Sequence, residues 1–344
     1  MSTFMDNVNQ SMMLKLQDWL VRYGFIAVTI LLFTWFILTE ETFRQPSTLF
    51  SMLKFTSVVA IVGLGVTFTM VVGGLDLSVG SVAGLAVTVS AMMMVIYNLT
   101  GLFSGFAVLI AGAVVGLLNA VLIVWMKIPD LLATLGMMFI IMGLKLLPVD
   151  GQSVSSRMIL RDGTVAPGKF TDGFLQIDRF MVGPVPLPVV IWIVLTFIAW
   201  FLLTRTRYGR IMYAVGANPE AAKLSGIRVE WYRASAYVIS GVFAAIGGMI
   251  LSSRIGQGDI SAGNSLLLDA VAVALVGTSV LGIGKPNAWG TALGALLIGI
   301  VITGLTITGF PYYAQDIAKG VVLVIALTFS FTLSRKKARF VPAT

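Results

Sequence analysis

Apolar residues run along this chain in long blocks rather than in stripes. Between Lys54 and Lys127 lie 72 residues whose only ionisable side chain is Asp76, and further uncharged blocks cover 180–204, 234–253 and 286–315. A surface helix of a water-soluble domain keeps a polar face opposite its apolar one. These blocks leave no such face, and about 20 mostly apolar residues suffice to cross the hydrocarbon core of a bilayer. Charges and clusters of Gly, Pro and Asn divide the chain into ten expected spans, near 23–39, 55–72, 78–97, 105–125, 131–147, 189–203, 236–252, 269–283, 289–308 and 317–333. The expected fold class is an all-α polytopic membrane protein. A single transmembrane domain covers 23–333, with a cytoplasmic tail over 1–22 and a basic cytoplasmic tail over 334–344. Residues 1–22 carry Asp6, Lys15, Asp18 and Arg22 and no small-residue cleavage site, so they read as a retained tail rather than a signal peptide.

Composition agrees: 58% of the residues are hydrophobic and 11% charged, against about 25% charged in ordinary soluble domains. The distribution of Lys and Arg sets the orientation, because cytoplasmic loops carry the excess. With both termini inside, the inner segments collect fourteen basic residues (Lys15, Arg22, Lys127, Arg205, Arg207, Arg210, Lys223, Arg228, Arg233, Lys285, Arg335, Lys336, Lys337 and Arg339). The outer segments collect nine: Arg44, Lys54, Lys145, Arg157, Arg161, Lys169, Arg179, Arg254 and Lys319. The net charge of +8 is therefore a topological signal. No basic, aromatic-rich domain suggests nucleic acid as a partner. The chain has neither Cys nor His, which removes thiolate nucleophiles, imidazole bases and the usual zinc and haem ligands. The outer loop 148–188 and the inner loop 204–235 are too short for an independent ATPase or ligand-binding domain, so energy and solute must be supplied by other polypeptides.

Three stretches carry candidate chemistry. In Gly73-Gly74-Leu75-Asp76-Leu77-Ser78-Val79-Gly80-Ser81 two glycines end one apolar helix, and Asp76 and Ser78 offer oxygens to the free N–H groups at the start of the next. This predicts an interrupted helix near 73–81, in which Asp76 either caps a helix or lines a pathway, since an ionisable residue within a membrane is a functional hypothesis by default. A fainter echo follows at Gly258-Asp259-Ile260-Ser261-Ala262-Gly263, and Asp269 opens a later apolar helix, where a carboxylate complements the helix dipole. Residues 277–286 resemble a phosphate loop only superficially: Ser279 and Pro286 occupy positions that need Gly and Ser or Thr. In the inner loop, Asn218 is a strong N-cap, Pro219 suits the first helical position, Glu220 complements the dipole and Gly226 ends the run. This specifies a short cytoplasmic helix near 219–225. Helices of this length are marginal alone, so it packs either on the protein's own inner surface or on a separate subunit.

Gly74-Leu-Asp-Leu-Ser-Val-Gly80, Ala133-Thr-Leu-Gly136, and the run Tyr208-Gly209, Ala214-Val-Gly216-Ala-Asn218, Ala221-Ala222 and Ser225-Gly226-Ile227 carry a family resemblance. They resemble the permease subunits of bacterial ABC importers for ribose, xylose, arabinose, galactose and related compounds, in consistent order over roughly 55–333. The resemblance implies a non-catalytic inner-membrane subunit without cofactors. It implies pairing with a second permease copy or paralogue around the pathway of a small-molecule sugar. A cytoplasmic ABC ATPase would be engaged through Tyr208, Gly209, Ala214, Gly216, Asn218, Pro219, Glu220, Ala221, Ala222, Ser225 and Gly226, and a periplasmic or lipid-anchored sugar-binding protein would dock outside. Gly74, Asp76, Ser78, Gly80 and Asp269 then belong to the pathway or to the helix break. The alternative is an ion-coupled secondary transporter, which usually carries several paired intramembrane acids. A membrane-embedded hydrolase is a weaker third reading, because only aspartates remain as candidate nucleophiles.

Overall fold

A computed structural model of the chain describes residues 23–280 and 284–339. Among these residues most of the chain is helical. The elements are α1 (Tyr23–Thr39), α2 (Glu41–Arg44) and α3 (Pro46–Val71), followed by α4 (Val79–Ile96), α5 (Gly101–Trp125) and α6 (Asp130–Val149). Next come α7 (Asp172–Arg179), α8 (Leu187–Arg205), α9 (Arg207–Ala217), α10 (Pro219–Leu224), α11 (Val229–Ile255), α12 (Leu266–Gly277), α13 (Ala288–Ile307) and α14 (Tyr312–Arg339). Seven of them, α3, α4, α5, α6, α8, α11 and α13, are long and apolar enough to cross a membrane; α1 and α12 are shorter apolar helices.

The two longest of the seven, α3 and α11, form the centre. They pack on each other, and α4, α12 and α13 pack around α3 while α4 and α5 pack on α11. Apolar side chains alone give no preference for helix over lipid, so close backbone approach and interhelical hydrogen bonds hold such a bundle. Both are present. Gly112 on α5 and Gly241 on α11 face each other so closely that a Cβ on either would collide with the other's carbonyl oxygen. The hydroxyls of Thr67 and Thr291 lie 2.7 Å apart between α3 and α13, and Ser90 Oγ donates to Ser252 Oγ at 2.6 Å between α4 and α11. The helices α4 and α5 finish in wide turns, with Tyr97 N donating to Met92 O and Met126 N to Val121 O, both at 3.0 Å. Such i→i+5 turns leave the next residue free to redirect the chain.

Each of the ten expected spans falls on a helix, although the expected span 269–283 runs past the end of α12 and its residues 281–283 lie outside the described residues, as does the expected tail 1–22. The basic tail expected from 334 is helical as far as Arg339, as a continuation of α14. The loop 148–188, expected on the outer side, is more structured than its composition suggested. It contains the amphipathic α7 and a hairpin pairing Met181 with Pro186 and Val182 with Val185, and Val154 bridges to Gly258. Its own Phe170 and Phe174 are buried. The carboxylate of Asp178, near the end of α7, meets Lys54 of α3 at 3.0 Å and Arg254, in the last turn of α11, at 3.1 Å, pinning the loop to both central helices.

Candidate functional site

The break expected near 73–81 occupies 72–78, between α3 and α4. Gly73 adopts φ +80°, a conformation glycine takes without steric cost, and turns the chain. The fully buried Asp76 then closes a local turn: its Oδ1 accepts from Ser78 N at 2.9 Å and from Ser78 Oγ at 2.6 Å. Its second oxygen accepts from Ser240 Oγ of α11 at 2.8 Å. Ser78, expected to cap α4 with its own oxygen, makes no such bond. Its hydroxyl is spent on Asp76 and accepts from Asn119 Nδ2 at 2.8 Å. Gly80 lies in the first turn of α4, where a Cβ would crowd the Gly263 carbonyl oxygen at 2.9 Å. The first turn of α4 thus touches the second, echoing break.

The segment 204–235, expected on the cytoplasmic side, holds two helices, not one. Thr206 Oγ1 accepts from Gly209 N at 3.2 Å and starts α9, which buries Gly209, Met212 and Val215 on one face. A Cβ on Gly209 would collide with the carbonyl oxygens of Leu202 and Leu203. Tyr208 donates its hydroxyl to Ser235 Oγ in a short contact across to α11, and Ser235 Oγ in turn donates to Tyr232 O at 2.9 Å. The Tyr213 hydroxyl donates to Pro286 O at 2.6 Å; burial pushes this phenol up to about 12, so it remains a donor at neutral pH. The following helix, α10, is capped as expected: Asn218 Oδ1 accepts from Ala221 N at 3.0 Å, Pro219 is the first helical residue, Glu220 lies in the first turn, and Gly226 adopts φ +79° beyond Ser225. Ala214 O accepts from Asn218 N at 3.1 Å, joining α9 to α10. Only Ala222 of α10 is buried. Leu224 is 90% exposed and Trp231 64%. Beside them Tyr208, Ile211, Ile227 and Tyr232 line a cavity of about 570 Å³.

Asp269 lies in the first turn of α12, as the dipole argument requires, but it is not solitary: Lys319 of α14 meets it at 2.8 Å, with Asp269 only 2% exposed. Sequence reading missed three further polar features. Asp130, at the start of α6, accepts from Arg233 Nη2 at 3.2 Å and from the Tyr237 hydroxyl at 2.8 Å. Lys145, near the other end of α6, is buried beside Gly84 and Ala262. Asp178 forms the clamp on α3 and α11 described above. A lysine inside an otherwise apolar span was the available signal for Lys145 and Lys319. The Asp130 cluster joins positions 103 and 107 apart and gives no local sign. No group of His, Cys, Asp and Glu able to hold a metal ion occurs among the described residues.

Comparison with known proteins gives the arrangement its context. Residues 48–327 match the family described as the permease component of branched-chain amino acid transport systems. The chain is 33% identical over 315 residues to the ribose import permease protein RbsC of Haemophilus influenzae, covering 91% of this chain and 94% of that protein. It is 31% identical over 312 residues to RbsC of Escherichia coli K12, covering 90% and 93%. To the galactose/methyl galactoside import permease protein MglC of Salmonella typhimurium it is 31% identical over 331 residues, covering 93% and 97%. No solved structure matches the chain. A multi-helix membrane chain aligned to such permeases over nearly its whole length belongs to this permease family.

Proposed function

We propose that the chain is the permease subunit of an ATP-driven ABC importer for a monosaccharide or related polyol. It resides in the bacterial inner membrane with ten crossings and both termini inside. The solute comes from the relatives' names, since the family's own description concerns amino acids. The observation that carries the coupling is α10. This helix is fully capped, buries one residue and exposes Leu224, and the first turn of α11 beside it exposes Trp231 at the edge of a cavity of about 570 Å³. Exposed large apolar side chains rimmed by polar ones mark a protein interface, and on a face turned away from the bilayer they fit a cytoplasmic ATPase. A second copy or paralogue would complete the pathway, and an outer sugar-binding protein would deliver the solute.

Breaking α10 tests this. Ala222→Pro places proline at the fourth helical position, at a cost of up to about 3 kcal/mol, and Gly226→Val forces a β-branched residue into a positive φ. Both variants are expected to reach the membrane, lose co-purification with the ATPase and lose ATP-dependent uptake in proteoliposomes. Wild-type uptake of ribose or galactose should stop with vanadate and persist with a protonophore. The reverse pattern would favour the ion-coupled alternative, to which the buried Asp269–Lys319 pair lends some support. Uptake of leucine in place of either sugar would overturn the choice of solute. The absence of native cysteine makes orientation testable as well: Lys169→Cys should react with an impermeant maleimide from outside, and Lys223→Cys only after permeabilisation.

A further inference from the structure

The two stretches that the sequence singled out separately, the break at 72–78 and the cytoplasmic segment 204–235, meet backbone to backbone. Gly216, in the last turn of α9, lies against the end of α3: a Cβ there would collide with the Val71 carbonyl oxygen and sit 3.1 Å from the Gly73 amide nitrogen. Seen from the other side, a Cβ on Gly73 would lie 3.4 Å from Gly216 O. No side chain cushions this contact. A displacement of α9 cannot be absorbed by a change of rotamer, and close-packed interiors transmit strain.

Gly74 is held as tightly from a second direction. A Cβ on it would collide with the Tyr237 hydroxyl and lie 2.5 Å from Asp130 Oδ2. These two groups are bonded to each other at 2.8 Å, and Arg233 Nη2 donates to both Asp130 oxygens at 3.2 and 3.4 Å. One helical turn beyond Tyr237, Ser240 donates to Asp76. A single face of α11 therefore carries donors to Asp130 and to Asp76, with Gly74 between them. Both routes begin at α10, which is joined directly to α9 before it and leads into α11 after it.

We infer that Gly216, Gly73 and the cluster of Asp130, Arg233 and Tyr237 are positioning residues for solute passage, forming the joint through which movement of α9 and α10 displaces the turn that holds Asp76. The inference rests on the reading of α10 as the ATPase dock. It assigns Gly216 a role in touching the break rather than in touching the ATPase.

The test uses the chain with its co-purified ATPase and binding protein in proteoliposomes, with radiolabelled ribose and galactose as probes. Gly216→Ala adds one methyl group to the backbone contact. It should lower the melting temperature of the membrane domain while leaving ATPase co-purification and ATP hydrolysis near wild type, and sugar moved per ATP hydrolysed should fall about tenfold, within the usual range of coupling between sites. Tyr237→Phe removes a single hydrogen bond at the second contact, should lower the same ratio about fivefold, and carries the test if Gly216→Ala does not accumulate. A ratio unchanged in the variants that fold would overturn the inference while leaving the docking role of α10 intact. Loss of ATPase co-purification in Gly216→Ala would also overturn it, by making Gly216 part of the dock. If no ATPase accompanies the wild-type chain, the functional reading falls, and the inference with it.

Discussion

The turns at 72–78 and 258–263 are built alike and placed differently. In each, the first carboxylate oxygen of an aspartate accepts from the N–H and the hydroxyl of the serine two residues on, at 2.9 and 2.6 Å for Asp76 and at 2.8 and 2.7 Å for Asp259. Each follows one of the two central helices and precedes a shorter apolar one. The two even touch, through Gly80 and Gly263. Yet Asp76 is fully buried and its second oxygen is fixed by Ser240, whereas Asp259 is half-buried and its serine exposed. The Asp-x-Ser sequence is enough to make the turn. What the turn contributes to stability is decided by what surrounds it, because a polar group without a partner is costly only where water cannot replace the lost bond.

The strongest way to test that contrast is Asp76→Leu. It would strand Ser78 N, Ser78 Oγ and Ser240 Oγ in a dry site, at about 1–3 kcal/mol for each unsatisfied group. Most of the protein should fail to appear as a monodisperse peak in detergent. Ser240→Ala removes one of the bonds to Asp76 and should cost about 1–2 kcal/mol, read as a lower melting temperature with expression maintained. Asp259→Ala removes the same local bonds as Asp76→Leu but in reach of water, and should cost less than about 1 kcal/mol; a loss comparable to that of Asp76→Leu would erase the distinction. Smallest of all should be the effect of Asp76→Asn on folding. Its carbonyl oxygen can keep both bonds from Ser78, and its amide can donate to Ser240. If this variant folds but no longer transports, the charge itself serves the pathway, and capping alone does not account for Asp76.

Legibility followed the range of the interactions. Asn218, Pro219 and Gly226 bounded α10 correctly because capping acts between neighbours within one turn. The same local reasoning assigned Ser78 a capping oxygen that the structure spends on Asp76 and Asn119, since a partner 41 positions away competes for it. The helix α9 was overlooked although Thr206 precedes it as a sound N-cap. Its apolar face is short and interrupted by Arg207 and Arg210, so the charge density resembled a loop. Likewise α7 was hidden in a stretch whose glycines and prolines suggested irregular chain.

By itself the sequence determined that the chain is a bundle of membrane helices, where most of those helices begin and end, and where one aspartate turn and a short capped helix interrupt them. Each of these follows from hydropathy over about 20 residues or from hydrogen bonds closed within a few positions. Only the tertiary structure decided that Gly216 rests on Gly73, that Asp130 gathers Arg233 and Tyr237, that Asp269 meets Lys319, and that Asp178 clamps two central helices. These contacts join residues from about fifty to nearly 150 positions apart. In a chain whose spans are almost uniformly apolar, the lateral order of the helices is set by where small residues let backbones meet and where sparse polar groups find partners, and neither is written in hydropathy.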